Sequence, residues 1–291
     1  MGYKISFECR ACLERLVDLT VELATPDPKL QEKARRRALA IIDEEFRPGA
    51  VPALIANRFH LAIQEITGNP DPFLPRKQAE TAQLAALSAR LGPTFDRDLE
   101  SLVKLAVLGN AIDFFRDEAE VLQDMQSQVV LTVSHLSRFQ ELLAATIGPV
   151  LYLADNAGEQ FFDEPLVSHL RRGGRRVFYV VKAGPIQNDL SREDLAASGL
   201  AARLEPVADT GTRTVGLVLS QASAAFRRLY QEAAIIIAKG MGHFETLGHL
   251  TDPRLFFLLQ AKCPPVARAL GVEVGSFVFC QAGTPLDNQE N

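Results

Sequence analysis

Cysteine is scarce in this 291-residue chain: it occurs only at Cys9, Cys12, Cys263 and Cys280. That is too sparse for a disulfide-stapled secreted scaffold, and a reducing, cytoplasmic setting is expected. Long apolar runs are missing too. No stretch reaches the roughly 18 residues of a membrane-spanning helix. Lys4, Glu8, Arg10 and Glu14 interrupt the N-terminal segment, so no signal peptide is expected. Nor is there a surplus of positive charge. Lys and Arg number 31 against 36 Asp and Glu, a net charge of −5, which gives no basic footprint for nucleic acid. Neither an internal repeat nor a low-complexity tract is present.

What is present changes character near residue 148. Before it, apolar residues recur at helical spacing, as in Leu13, Leu16 and Val17, then Ala38, Ile41 and Ile42, then Ile55, Phe59, Ile63 and Ile66. Breaks rich in Pro, Gly or Asp fall at 25–28, 47–52 and 68–75. Two longer helical segments, 95–118 and 121–145, complete this half, and no strand is expected in it. After Gly148, short runs rich in β-branched and aromatic residues appear at 149–154, 176–182, 233–239 and 275–280, with a weaker one at 202–208. Helix-like segments at 159–172, 191–198, 217–231 and 253–270 separate them. Strand alternating with helix predicts parallel strands covered on both faces. The expected fold is therefore α/β: a helical domain over 1–146 packed on a three-layer α/β/α domain over 147–283. Its sheet is mostly parallel and doubly wound, and a tail follows at 284–291.

In such a sheet, ligands bind beyond the carboxyl ends of the strands. The first strand runs into Asp155-Asn156-Ala157-Gly158-Glu159. Neighbouring side chains on a strand point to opposite faces, so Asp155 and Asn156 converge only if the strand breaks there, and Gly158 permits that turn. Glu159 then falls in the first helical turn, as an acid/base group or as a carboxylate suited to the helix dipole. The second strand delivers Asn188 and Asp189 ahead of a capping box formed by Ser191 and Asp194. The weak strand delivers Asp209, and the next one delivers Lys239 with His243 and Glu245 close behind. Asp and Asn oxygens suit hard or borderline cations. An ion, carboxylates and a lysine together suit attack on a phosphate ester.

Four blocks, "DNAGEQFFD", "PIQNDLSREDL", "AKGMGHFETL" and "AKCPPVARALGV", resemble the metal-dependent damage-control phosphatases, also known as domain of unknown function 89. "CRAC" at 9–12, "DPFLPRK" at 71–77 and "AVLGNAIDF" at 106–114 resemble its stand-alone microbial branch, and the blocks span nearly the whole chain in order. The resemblance implies a helical region on an α/β/α domain and removal of phosphate from a small phosphorylated metabolite. It implies that Asp155, Asn156 and Asp189 ligate a divalent metal ion (Mn, Co, Ni or Mg). It also implies phosphate or substrate roles for Glu159, Lys239 and Glu245, with Asn110 and Asp113 reaching in from the helical region.

Met241 and His243 depart from the family pattern, which more often has Gln and Asn there. His243 is an added ligand, a pH-dependent phosphate donor, or a hydrogen-bonded substitute for the amide. Cys9, Cys12 and Cys263 either meet as a thiol cluster near the active rim or are buried independently as small apolar residues. The expected activity is phosphoric monoester hydrolysis in the cytoplasm, with neither nucleic acid nor membrane as partner. A carboxyl methyltransferase using S-adenosylmethionine is the second reading, although one glycine and two acids make a poor nucleotide bed. A non-catalytic binding module is the third.

Overall fold

The computed structural model describes Tyr3, residues 5–111 and residues 129–284. Five helices come first: α1 (Phe7–Ala24), α2 (Pro28–Glu45), α3 (Pro52–Thr67), α4 (Leu74–Leu91) and α5 (Leu99–Ala111). Local chemistry sets their starts. Asp27 accepts the Lys29 amide at 2.8 Å ahead of Pro28, and Pro52 opens α3, since proline's missing N–H costs nothing in a first turn. Val17, Val21, Ala38, Ile42, Phe59 and Ile63 close a core among α1, α2 and α3 alone. Leu84, Leu87, Leu102 and Leu105 of α4 and α5 instead join the core on one face of the sheet. The N-terminal helices thus divide between two cores.

Among the described residues, seven strands form one sheet in the order β1-β7-β6-β5-β2-β3-β4. They are β1 (Leu131–Ser134), β2 (Val150–Leu153), β3 (Val177–Val181), β4 (Val207–Asp209), β5 (Ile235–Lys239), β6 (Leu255–Gln260) and β7 (Phe277–Gln281). All neighbours pair parallel except β6 with β7. Residues along each central strand alternate between two cores: Tyr152, Ile237 and Phe256 on one face, Leu151, Ile236 and Phe257 on the other. Burial of both faces explains the continuous apolarity of these strands.

Two strands depart from the sequence reading. Leu131–Ser134 lies within the segment read as helix 121–145, whose helical part is α6 (Leu136–Ala145). Leu255–Gln260 lies within the segment read as helix 253–270, which ends instead in the short α12 (Pro264–Leu270). Periodicity alone does not separate a short apolar run in a strand from one in a buried helix, and sheet pairing decided both. Segment 217–231 is helical only as α10 (Ala224–Glu232), capped by the Ser223 hydroxyl. The remaining crossover helices are α7 (Gln160–Arg172), α8 (Arg192–Ala197), α9 (Ala201–Leu204) and α11 (Gly240–Leu247).

Candidate active site

The chain leaves β2 toward β3 and β4 on one side, then returns to β5 on the other side of β2. The carboxyl ends of β2 and β5 therefore flank the switch point, where open α/β sheets bind ligands. Asp155 and Asn156 follow β2, Lys239 ends β5, and Gly240 opens α11. Gly158, with φ of +97°, makes the turn into α7. Asn156 forms an isolated antiparallel bridge with Asp189. The Ala157 amide donates to the Asn188 carbonyl at 2.9 Å, and the Leu190 amide donates to the Asp155 carbonyl at 2.8 Å. These backbone bonds zip the loop carrying Asp189 onto the β2 turn, which brings Asp155, Asn156 and Asp189 together.

Asn110 reaches the same place from α5. Its Nδ2 donates to Asp155 Oδ2 at 2.9 Å and Glu159 Oε1 at 3.1 Å, while its Oδ1 accepts the Gln260 amide at 3.2 Å. Gly109 makes the approach possible, since a Cβ there would stand 2.8 Å from the Phe162 Cβ. The Gly109-Asn110 pair lies inside α5. Asp113, the other residue expected from this helix, lies outside the described residues. Asn156 Nδ2 donates to Asp155 Oδ2 at 3.0 Å and Glu159 Oε1 at 2.7 Å.

Lys239 is fully buried, its Nζ 2.6 Å from Glu159 Oε2 and 2.5 Å from Asp163 Oδ1. Burial pushes the Glu159 carboxyl up, but the Lys239 ammonium and the amide donors outweigh it and hold the group below its usual range. On the other side, Lys182 Nζ donates to the Gly216 carbonyl at 2.6 Å and stands 3.4 Å from both Asp189 Oδ2 and His243 Nε2. His243 Nδ1 donates to the Lys239 carbonyl at 2.6 Å, so its Nε2 is the acceptor that faces Lys182. Burial, then Lys182, keep this imidazole neutral, far below its ordinary range. His243 therefore fills the place of a hydrogen-bonding amide.

Of the other expected residues, Asp209 and Glu245 have their partners outside this cluster. Asp209 ends β4 and pairs with Arg192 at 2.8 Å while accepting the Gly211 amide. Asn188 contributes its backbone carbonyl. Glu245 accepts the Ala53 amide at 3.0 Å, and burial raises its carboxyl to about 7. Glu245 faces the thiols. Burial, then Glu245, raise Cys263 to about 11, with Cys9 and Cys12 adding to the effect. Tyr3 Oη lies 3.2 Å from Cys9 Sγ, and Arg268 pairs with Glu8 at 2.7 Å, tying α1 to α12. Cys263 thus has Cys9 and Cys12 as neighbours, near enough for their charges to raise it.

The donor set tests whether a divalent cation fits the rim. Asp189 Oδ2 is buried and accepts no hydrogen bond. Burial, then Glu159 and Asp189, push Asp155 well above its ordinary range. Asp155, Glu159, Asp163 and Asp189 are four buried carboxylates, set against the buried ammonium groups of Lys182 and Lys239 and the half-buried one of Lys262. Carboxylates outnumber ammonium groups, and a divalent cation fits that imbalance.

A family model described as the damage-control phosphatase ARMT1-like domain matches residues 5–278. This chain belongs to that family. It is 36% identical over 281 residues to the damage-control phosphatase PH1575 of Pyrococcus horikoshii, covering 94% of this chain and 97% of that protein. A damage-control phosphatase of Archaeoglobus fulgidus is 31% identical over 289 residues, covering 94% and 98%. The 2.04 Å crystal structure of PH1575, described as a DUF89 family protein, superposes with a TM-score of 0.87 at 35% identity and covers 96% of this chain and 99% of its own. The family assignment makes the chain a phosphatase, as its motifs implied.

Five site residues escaped the sequence reading. Asp163 lies four residues beyond Glu159, on the same helical face, and closes the motif that opens at Asp155. Tyr152 and Tyr179 looked like strand core. Lys182 follows β3 directly. Lys262 follows β6, a strand read as helix, so its position at a strand end was hidden. It is half-buried, and its charge lowers both Asp155 and Glu159.

Proposed function

We propose that this phosphatase hydrolyses a phosphoric monoester of a small metabolite, using a divalent cation held by Asp155, Asn156 and Asp189. One observation carries the reading: the buried Asp189 Oδ2 accepts no hydrogen bond and meets Lys182 Nζ only at 3.4 Å, inside a cluster where carboxylates outnumber ammonium groups. When bound, such an ion (Mn, Co, Ni or Mg) polarises phosphoryl oxygens and makes a bound water more acidic.

The chain's own residues then divide the work. Lys239 is committed to Glu159 and Asp163, so its ammonium fixes the carboxylate wall and does not meet the substrate. Among the described residues Lys262 makes no ion pair, and its charge acts on Asp155 and Glu159, which suits it to the departing phosphate. Lys182, held by Gly216 and His243, balances charge at Asp189. Glu159 keeps the amides of Asn110 and Asn156 turned toward Asp155. The methyltransferase reading gains nothing from this rim: the turn after β2 carries the single Gly158, and β3 is followed by Lys182 where a ribose-binding acid would be wanted.

Free cysteines suit a cytoplasmic enzyme, and no described helix is long and apolar enough to cross a membrane. The acidic balance gives no basic footprint for nucleic acid, which leaves a small metabolite as the expected partner. The decisive assay uses metal-stripped protein with Mn²⁺, Co²⁺, Ni²⁺ or Mg²⁺ restored, on p-nitrophenyl phosphate and a sugar-phosphate panel. Phosphate release that depends on added metal and is lost in Asp155→Ala and Asp189→Ala is the expected result. Metal-independent release, or full activity in those variants, defeats it.

A further inference from the structure

Behind the rim lies a second set of buried polar groups that do not face the metal ligands. Tyr152 of β2 and Tyr179 of β3 are register partners, so their rings stack with centroids 5.5 Å apart and 22° between planes. Both phenols point to one carboxylate. Tyr152 Oη donates to Asp163 Oδ1 at 2.7 Å and Tyr179 Oη to Asp163 Oδ2 at 2.6 Å. The third donor to Asp163 is Lys239 Nζ at 2.5 Å, and the same ammonium reaches Glu159 Oε2 at 2.6 Å. Tyr152, Tyr179, Asp163 and Lys239 are almost wholly withdrawn from solvent.

We propose that Asp163, gripped by Tyr152 and Tyr179, is a positioning residue that sets the Lys239 ammonium so that Glu159 holds the Asn110 and Asn156 amides against Asp155. The inference rests on the phosphatase reading of the rim. A simple packing role would not require this geometry. Apolar residues fill buried space at least as well, because burying two charges costs several kcal/mol per ion before pairing returns it. Here each oxygen of Asp163 is claimed by a separate strand-borne phenol, which leaves the carboxylate a single orientation.

The lysine is aligned at its other end as well. Its main chain is held by the His243 ring through the 2.6 Å bond to the Lys239 carbonyl. Lys239 thus has few accessible rotamers, and Glu159, four residues before Asp163 on the same face of α7, receives the charge at one oxygen. The other oxygen stays with Asn110 and Asn156. The relay Tyr152/Tyr179, Asp163, Lys239, Glu159, Asn110/Asn156, Asp155 runs unbroken from the sheet interior to the rim. Displacement of reacting groups by about 1 Å costs about 10²-fold in rate, so a distant anchor of this kind is read in turnover.

The test is Asp163→Asn in the full chain, assayed with Mn²⁺ on p-nitrophenyl phosphate beside the wild type. The expected outcome is at least a tenfold loss in kcat. KM and the Mn²⁺ concentration for half-maximal activity should move by less than about threefold, in protein whose circular dichroism and melting curve show it folded at assay temperature. Tyr152→Phe and Tyr179→Phe each remove one donor and give smaller losses, and the double variant approaches Asp163→Asn. A folded Asp163→Asn with wild-type kcat, or a loss confined to KM or to metal affinity, overturns the proposal. If Asp163→Asn does not fold, the double tyrosine variant decides by the same kcat criterion. A wild-type protein without metal-restored phosphate release would instead defeat the phosphatase reading itself, which separates the two failures.

Discussion

Gly240 and Asp155 share one small space: a Cβ on Gly240 would stand 1.9 Å from Asp155 Oδ2. The end of β5 thus presses bare backbone against the carboxylate that ends β2. The φ of +78° at Gly240 is one that L side chains rarely adopt. Gly240→Ala is expected to cost about 1–2 kcal/mol through backbone strain alone. By displacing Asp155 it should also lower metal-restored kcat by about 10²-fold. Urea unfolding and the p-nitrophenyl phosphate assay read the two effects separately, and a variant with wild-type kcat would show that the close approach is not needed.

The buried contact between Asp189 and Lys182 makes Asp189→Asn a test of charge balance and of metal binding together. Metal-free Asp189→Asn should melt lower than the metal-free wild type, because the buried Lys182 ammonium loses its ion-pair partner. Added Mn²⁺ should raise the wild-type melting temperature, since a ligand of the native state stabilises it, and leave the variant unmoved. Equal shifts in both proteins would remove Asp189 from the ligand set.

Lys262 is expected to meet the substrate anion. A hydrogen bond to a charged group contributes about 1.5–3 kcal/mol, so Lys262→Ala should lose about 10- to 150-fold in kcat/KM. Its melting temperature should stay near that of the wild type, because Lys262 has no ion pair among the described residues and is only half-buried. Comparable kinetics for Lys262→Ala and wild type would leave the phosphate to another group.

Glu245 makes a prediction about pH. Burial raises its carboxyl in the folded chain to about 7 from its ordinary 4.5, with the Ala53 amide pulling back. A folded state that holds its proton more tightly than the unfolded chain loses stability as pH rises between those values. Urea midpoints should therefore fall from pH about 4.5 to 7, and the slope should be shallower in Glu245→Gln. An unchanged slope in the variant would assign the pH dependence elsewhere.

Much of this was legible along the chain because it is local. The alternation of strand and helix after Gly148, the Gly158 turn and the Ser191–Asp194 cap depend on residues within a few positions of one another. Asp155 and Asn156 could be placed at a strand end from periodicity alone, and the order of the motifs pointed to the family. Asp163 was visible in spacing, four residues from Glu159, yet nothing in that spacing named Lys239 as the partner of both.

The sequence by itself determined a parallel α/β sheet with acids and amides at its strand ends, because side-chain period and turn chemistry are local properties. Only the tertiary structure decided that 255–260 is a strand, and hence that Lys262 stands on the rim. Its apolar run satisfies helix and strand equally until β5 and β7 pair with it. The fold also decided that Lys239 is an internal ion-pair partner and that His243 is a neutral acceptor for Lys182. The charge state and availability of a side chain depend on what surrounds it in space, and those neighbours come from 76 positions away for Asp163 and Lys239 and 61 for Lys182 and His243.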